Sequence, residues 1–338
     1  MANVATLNTS TVTELDYWIP TLWSKKVYEE AKAKMFWNRF TGPEGSGMPV
    51  IQKNELLTEP GETINISRLA NLTGAGVSGE STLRGNEEQL SLAQIQVTPE
   101  WYRHAVASTG KARKQITQDF RMKAQKALSY WMAKKTDASM WTTAQSTGSV
   151  GFEASTISVV FGNNAASLDE VDSADTMGVT EIAKAAAVLR GNDIDGITLP
   201  GMPAGLGYYL LFIHPFQAFS LKQDSDWISR HTSASERGKD NPLFTGALGE
   251  IDGVIVHETT QCTRVQNANS PAIYTARAVM VGAEALCRGL NTDISFVEQK
   301  DDYDFVQGIG IAAAWDDAVL FSKAIVQIVT AAVDPNAV

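Results

Sequence analysis

The sequence predicts an α+β fold. A long helical periodicity over 111–145 stands apart from short alternating strands, and the two never settle into regular βαβ succession. Chain length sets the scale: 338 residues exceed what one hydrophobic core usually serves, so two or more lobes are expected.

The elements follow in order. Residues 14–40 carry seven aromatic side chains, Tyr17, Trp18, Trp23, Tyr28, Phe36, Trp37 and Phe40. Trp23, Val27, Ala31 and Met35 recur every four residues among Lys25, Lys26, Glu29, Glu30, Lys32 and Lys34, which predicts an amphipathic helix over 21–38. So many rings need a burial surface, and a terminal segment frays unless tied down. The arm therefore docks on its own body, as an ordinary packed first helix would, or on a neighbour's.

Residues 58–100 read as two strands joined by a long tip. Thr63–Ser67 alternates apolar and polar after Pro60-Gly61, and Leu90-Ser91-Leu92 alternates on the return. The apolar parity then shifts to Ile95 and Val97, which predicts a bulge or bend in the returning arm. The tip, about twenty residues long, holds Gly74, Gly76, Gly79 and Gly85 and the charges Arg68, Glu80, Arg84, Glu87 and Glu88. It is too long for a hairpin turn and too poor in apolar residues to bury itself. It is built for disorder or for lying on another chain. Gly74-Ala75-Gly76-Val77-Ser78-Gly79 matches the dinucleotide fingerprint G-x-G-x-x-G. That fingerprint needs a helix starting on its last glycine to hold the pyrophosphate. Glu80–Asn86 has no helical period and contains another glycine, so the flexible-tip reading is preferred.

From Lys111 to Gln145 no glycine or proline intervenes, and Phe120, Ala124, Ala127, Leu128, Trp131, Met132, Ala138 and Trp141 keep three- and four-residue steps. A helix of thirty residues would be roughly 45 Å long, a strut for the fold. Lys111, Arg113 and Lys114 at its start read as a solvated face rather than a DNA site. Residues 146–180, rich in Ser, Gly, Asn and Ala, read as a connector. A second helix is expected over 180–191, then a β-rich lobe with strands at Tyr208–His214 (closed by Pro215), Gly253–His257 and Ala278–Gly282. A short helix is expected near Ala283–Gly289, and two closing strands over Phe305–Ala314 and Ala324–Ala331.

Composition narrows the function. The net charge of −10 argues against a dedicated nucleic-acid reader, though not against a protein that encloses nucleic acid without gripping it. There is no secretory pattern at residues 1–17 and no apolar run long enough for a membrane span. Cys262 and Cys287 lack metal spacing and read as free, buried thiols. His104, His214, His231 and His257 are scattered; His257 reads as structural, and Asp301-Asp302 and Asp316-Asp317 as turn and strand-end residues. No H-E-x-x-H, G-x-S-x-G or Walker motif occurs. The residues point to a non-enzyme with no catalytic residue, metal or cofactor.

Several phrases, in one order along most of the chain, carry a resemblance. They are LWSKKVYEEAKAKMFWNRFTG (22–42), LTGAGVSGESTLRGNEEQL (72–90), WYRHAVASTGK (101–111), IHPFQAFSLKQDSDW (213–227), PLFTGALGEIDGVIVHE (242–258) and VGAEAL (281–286). Together they resemble the major capsid proteins of tailed bacteriophages with the Hong Kong 97-type fold, in the branch of the podophage N-four. The resemblance implies an N-terminal arm and first helix at 1–57 and an extended loop at 58–100 lying on an adjacent subunit. It implies a peripheral domain at 101–194 with its spine helix at 111–145, an axial domain at 195–285, and a return to the peripheral domain at 286–338. It implies contacts between subunits through Arg68, Glu80, Arg84, Glu87 and Glu88 of the loop and through Trp18, Trp23, Phe36 and Trp37 of the arm.

The implied function is an icosahedral head shell, in the virion and assembled in the bacterial cytoplasm, that encloses double-stranded DNA without sequence-specific binding. Implied partners are further copies of the chain, a separate scaffolding protein, a portal protein and, in some heads, a decoration protein; no membrane is involved. Some members weld subunits through a loop lysine, but Asn54–Gly110 has no lysine, so noncovalent contacts are expected. Two alternatives stay open: an encapsulin-like compartment shell, and an enzyme whose site no motif encodes.

Overall fold

Two sheets built from interleaved segments organise the molecule. The computed structural model describes residues 35–69, 72, 74, 76–79, 82–115, 120–163, 165–197, 207–234, 247–268 and 272–334. The strands are β1 (Thr41–Gly42), β2 (Val50–Lys53), β3 (Ile64–Leu69), β4 (Leu92–Val97), β5 (Glu100–Thr109), β6 (Ser149–Val150), β7 (Ser155–Thr156) and β8 (Ser158–Phe161). They continue with β9 (Tyr209–Ile213), β10 (Ala247–Ile251), β11 (Val254–Glu258), β12 (Arg264–Gln266), β13 (Tyr274–Val281), β14 (Leu286–Asp301), β15 (Val306–Val319) and β16 (Ile325–Ala331).

The first sheet runs β1-β2-β14-β15-β5. Its spine is the antiparallel pair β14 and β15, from Leu286 opposite Val319 to Asp301 opposite Val306. A 25-residue helix, Phe120–Ala144, lies across it and is about 37 Å long. Its inward residues Ala124, Leu128 and Met132 recur every four positions and pack on Phe296, Ile309, Ile311 and Trp315. A buried ion pair fixes one sheet strand to the other and to this helix. The Arg288 guanidinium donates to both Asp317 oxygens (2.7 and 3.2 Å) and to the Thr136 carbonyl (3.2 Å).

The second sheet runs β10-β11-β9-β13-β16-β8, with β12 beside β13. β9 and β16 are buried along their whole length, as strands covered on both faces must be. Tyr209, Leu211 and Ile213 face the helix Val179–Gly191, whereas Leu210 and Phe212 face a central core with Met140 and Trp141. Residues 36–40 enter that core as a plug. The Trp37 ring lies 4.8 Å from Trp141 and 5.0 Å from Phe212. Asp137, on the long helix, accepts from the Phe36 and Trp37 backbone N–H groups at 2.8 and 3.4 Å.

Several expectations change. Most of the predicted helix 21–38 lies outside the described residues; its described end is a short 3₁₀ turn, Trp37–Phe40. The run 111–145 is described as Gly110–Gln115 and Phe120–Ala144, with 116–119 outside the described residues. In place of a helix at 283–289, β14 begins at Leu286. Residues Leu286–Gly289 lie between β2 and β15 and are buried on both faces, which erases the alternation that marks a strand. Pro215 closes β9 but also opens a helix, Pro215–Gln223, followed by another at Ser225–Ala234. His214 caps the first, its Nδ1 accepting from Phe216 N at 3.2 Å. Asp316-Asp317 sits inside β15, not at a strand end.

Sheet membership cuts across the expected ranges. The connector 146–180 supplies β8, and the final strand β16 joins the second sheet instead of returning to the first. The lobes are therefore 41–53, 100–144 and 286–319 around one sheet, and 158–281 with 325–331 around the other.

Candidate assembly surface

The hairpin β3–β4 belongs to neither sheet: among the described residues its strands pair only with each other. Its register runs from Ile64 opposite Val97 to Leu69 opposite Leu92 with no shift, so the expected bulge is absent. The apolar parity changes because the inward face continues through Ala93, Ile95 and Val97, leaving Leu92 on the outside.

The base of the hairpin is seated on its own body. Ile64 and Val97 are buried over Gly289, where an added Cβ would lie 2.8 Å from Val97 Cγ1 and 3.0 Å from Ile64 Cδ1. Ile66 and Ile95 pack on Ile51, Cys287 and Leu320. The Arg68 guanidinium lies 4.4 Å from the Phe321 ring centroid, an intramolecular cation–π contact.

Beyond Arg68 the hairpin sheds its cover. Leu69, Leu72, Leu83, Leu90 and Leu92 are each between 50% and 71% exposed. A two-stranded ribbon on its own is marginally stable in water, and five open leucines are its unspent apolar surface. The charges do local work: Glu88 Oε2 accepts from Gly74 N and Glu87 Oε2 from Gly85 N, both at 2.7 Å. Arg84 is exposed at the tip, and Glu80 lies outside the described residues. Among the described residues of 74–86 none is helical.

The arm divides differently. Trp37, for which the resemblance implies a contact between subunits, is 0% exposed inside its own protomer. Phe36 is half-buried in the same cluster, 5.4 Å from Phe212. Trp18 and Trp23 lie outside the described residues.

A second projection is the turn between β14 and β15. Asp302, Tyr303 and Asp304 are three successive left-handed residues, with Tyr303 fully exposed. The turn is tied down by the Arg113 side chain, which donates to the Asp304 and Phe305 carbonyls at 3.1 and 3.4 Å.

Chemistry is sparse elsewhere. Among the described residues no group of His, Cys, Asp or Glu could hold a metal, and no helix is long and apolar enough to cross a membrane. His257 packs against Phe40 and Phe212. Burial pushes the Cys287 thiol up to about 12 and the Cys262 thiol higher still, the opposite of an activated nucleophile. A cleft of about 760 Å³ between hairpin and body is lined by Arg68, Glu153, Asp193, Asp195, Glu284 and Lys323. Glu153 and Glu284 are already engaged by the backbone N–H groups of Ser322 and Gly45.

Sequence reasoning singled out the charges of the tip; the structure adds its leucines. Leu69, Leu72, Leu83, Leu90 and Leu92 stand in a segment with no second apolar element to receive them.

Residues 11–318 match the family model described as phage capsid protein. The major capsid protein of Pseudomonas phage KPP25 is 28% identical over 330 residues, covering 86% of each chain. Among solved structures, the capsid of Ralstonia phage GP4 aligns with a TM-score of 0.73 at 22% identity, over 89% of this chain and 92% of that one. The cyanophage Pam1 capsid subunit aligns with a TM-score of 0.75 at 17% identity, over 98% and 99%.

Proposed function

Because the chain belongs to the phage capsid protein family, we propose that it is the major capsid protein of a tailed bacteriophage, assembling into an icosahedral head around double-stranded DNA. The observation that carries this reading is the hairpin 64–97, seated at its base on its own body and open along its outer half. The receiving surface is a second copy of the chain, on which Leu69, Leu72, Leu83, Leu90 and Leu92 become buried. Among the described loop charges singled out in the sequence, Arg84 is the one left to pair across the contact.

Assembly then proceeds by many modest noncovalent contacts. A contact worth about −4 kcal/mol is only millimolar alone. Closing several per subunit makes the later ones effectively intramolecular, so the shell outlasts any single pair. The role is structural and not catalytic. In this reading the lobe with the long helix is the peripheral domain and the lobe around β9, β13 and β16 the axial domain. A scaffolding protein, a portal and in some heads a decoration protein complete the particle, built in the host cytoplasm.

Negative-stain microscopy of the expressed chain, with and without its scaffold, tests the reading. Uniform shells are expected, and deletion of residues 70–88 should leave a folded protomer that no longer forms them. A small closed oligomer from the intact chain would refute the proposal, and shells packed with protein cargo in place of DNA would favour a compartment.

A further inference from the structure

The side of the long helix turned away from its sheet carries a distinct charge pattern. Between Gly110 and Ala144 stand eight basic residues against two acids, in a chain of net charge −10. The one acid within Phe120–Ala144 is Asp137, buried and turned to the Phe36 and Trp37 N–H groups. Lys123, Lys126, Tyr130 and Lys134 are all exposed and follow at three- and four-residue steps, which puts them on one stripe of the helix. From Lys123 to Lys134 the stripe rises about 17 Å. Lys111 and Lys114 extend the charge toward the start of the helical run. None of these five lysines has a carboxylate within ion-pair distance among the described residues.

Protein interfaces are depleted in lysine and favour arginine and large apolar anchors. This stripe is the reverse: lysines, one tyrosine, and alanine between them. Flexible point charges spaced over two to three turns suit a row of phosphates, whose contact needs no shaped socket. We propose that the stripe Lys123–Lys126–Lys134 is a sequence-independent contact for duplex phosphates, the wall's touch-point for the DNA it encloses. The inference rests on the shell reading for the identity of the polyanion. It also reconciles an acidic chain with DNA storage, because few contacts per subunit hold the duplex weakly and leave it free to move.

Fluorescence anisotropy of the intact protein with a 30-base-pair duplex, from 25 to 200 mM salt, tests it. The stripe should contribute about three units to the slope of log affinity against log salt, at about 0.9 per phosphate. Lys123→Gln with Lys126→Gln and Lys134→Gln should remove that contribution and weaken binding at least tenfold at 25 mM salt. Lys300→Gln with Lys323→Gln, off the stripe, should leave most of the slope in place. An unchanged slope in the triple variant overturns the proposal. So does unchanged duplex binding with lost binding to poly-glutamate, which would assign the stripe to an acidic protein. Microscopy of the same proteins with the scaffold present keeps the two readings apart: if the intact chain then forms no shells the shell reading falls, and the duplex slope still decides the stripe.

Discussion

Residues 36–40 and the outer half of the hairpin both belong to segments that the resemblance assigns to contacts with a neighbour. The first is the more apolar and is consumed inside its own protomer, where Trp37, Phe40, Trp141 and Phe212 close the junction between the sheets. The second is polar in composition yet keeps five leucines in the open. Ring density signals that burial will occur but not on which chain. Apolar residues scattered through a polar segment, with no local partner, are the better sign of a surface that another copy must cover.

The comparison can be broken at either end. The largest effect should come from Leu83→Ser with Leu90→Ser and Leu92→Ser. Each leucine buried on a neighbour contributes about 1.5–3 kcal/mol, so shell yield should fall by orders of magnitude. The protomer's own unfolding midpoint should scarcely move, since these side chains touch solvent there; a large drop in that midpoint would place them in the fold instead. Trp37→Ala should do the opposite, costing about 3–5 kcal/mol in denaturant unfolding of the protomer. A cost under about 1 kcal/mol would show that the plug is peripheral.

Gly289→Val tests the seam between the two behaviours. It forces a side chain into Ile64 and Val97 and should cost about 1–3 kcal/mol by unseating the hairpin base. Faster proteolysis within 64–97 is the expected readout, and an unchanged cleavage rate would contradict it. The smallest effect concerns the latch on the plug. Burial raises the Asp137 carboxyl above its ordinary 3.8 despite two N–H donors, with Arg288 opposing and Asp317 adding to the shift. A carboxyl raised on folding stabilises the fold below about 3.8 and loses that contribution as pH rises through the folded value. Asp137→Asn, which does not titrate, should therefore cost most below that pH and less as pH increases. Unfolding followed between pH 3.5 and 7 should give that sign; a cost that grows with pH would contradict it.

Much of the fold was legible because period and punctuation agreed. The long helix carried its four-residue apolar step, β9 ended just before Pro215, and β16 is apolar except for Gln327 and Thr330. Two failures have separate causes. Leu286–Gly289 is buried on both faces, so no local alternation marks it as a strand. Asp317 does sit on an alternating stretch, but it is a buried charge matched by Arg288 on the neighbouring strand, a partner that local sequence does not report. The helix Pro215–Gln223 was hidden by weak contrast between its faces, and its cap is a histidine, a residue not usually sought there. Domain limits were illegible for a different reason. β8 and β16 join one sheet from positions more than 160 residues apart, and no local pattern reports such pairing. At the candidate assembly surface the sequence marks the segment by its length and glycines, and the open leucines emerge only once the protomer's own cover is known.

Hydroxyl-radical footprinting of protomers and of purified shells addresses the central claim most directly. Oxidation at Leu83, Leu90 and Leu92 should fall several-fold on assembly, while Trp37 stays protected in both states. Equal oxidation of the three leucines in protomer and shell would mean that no other copy covers the hairpin, and the account would fail.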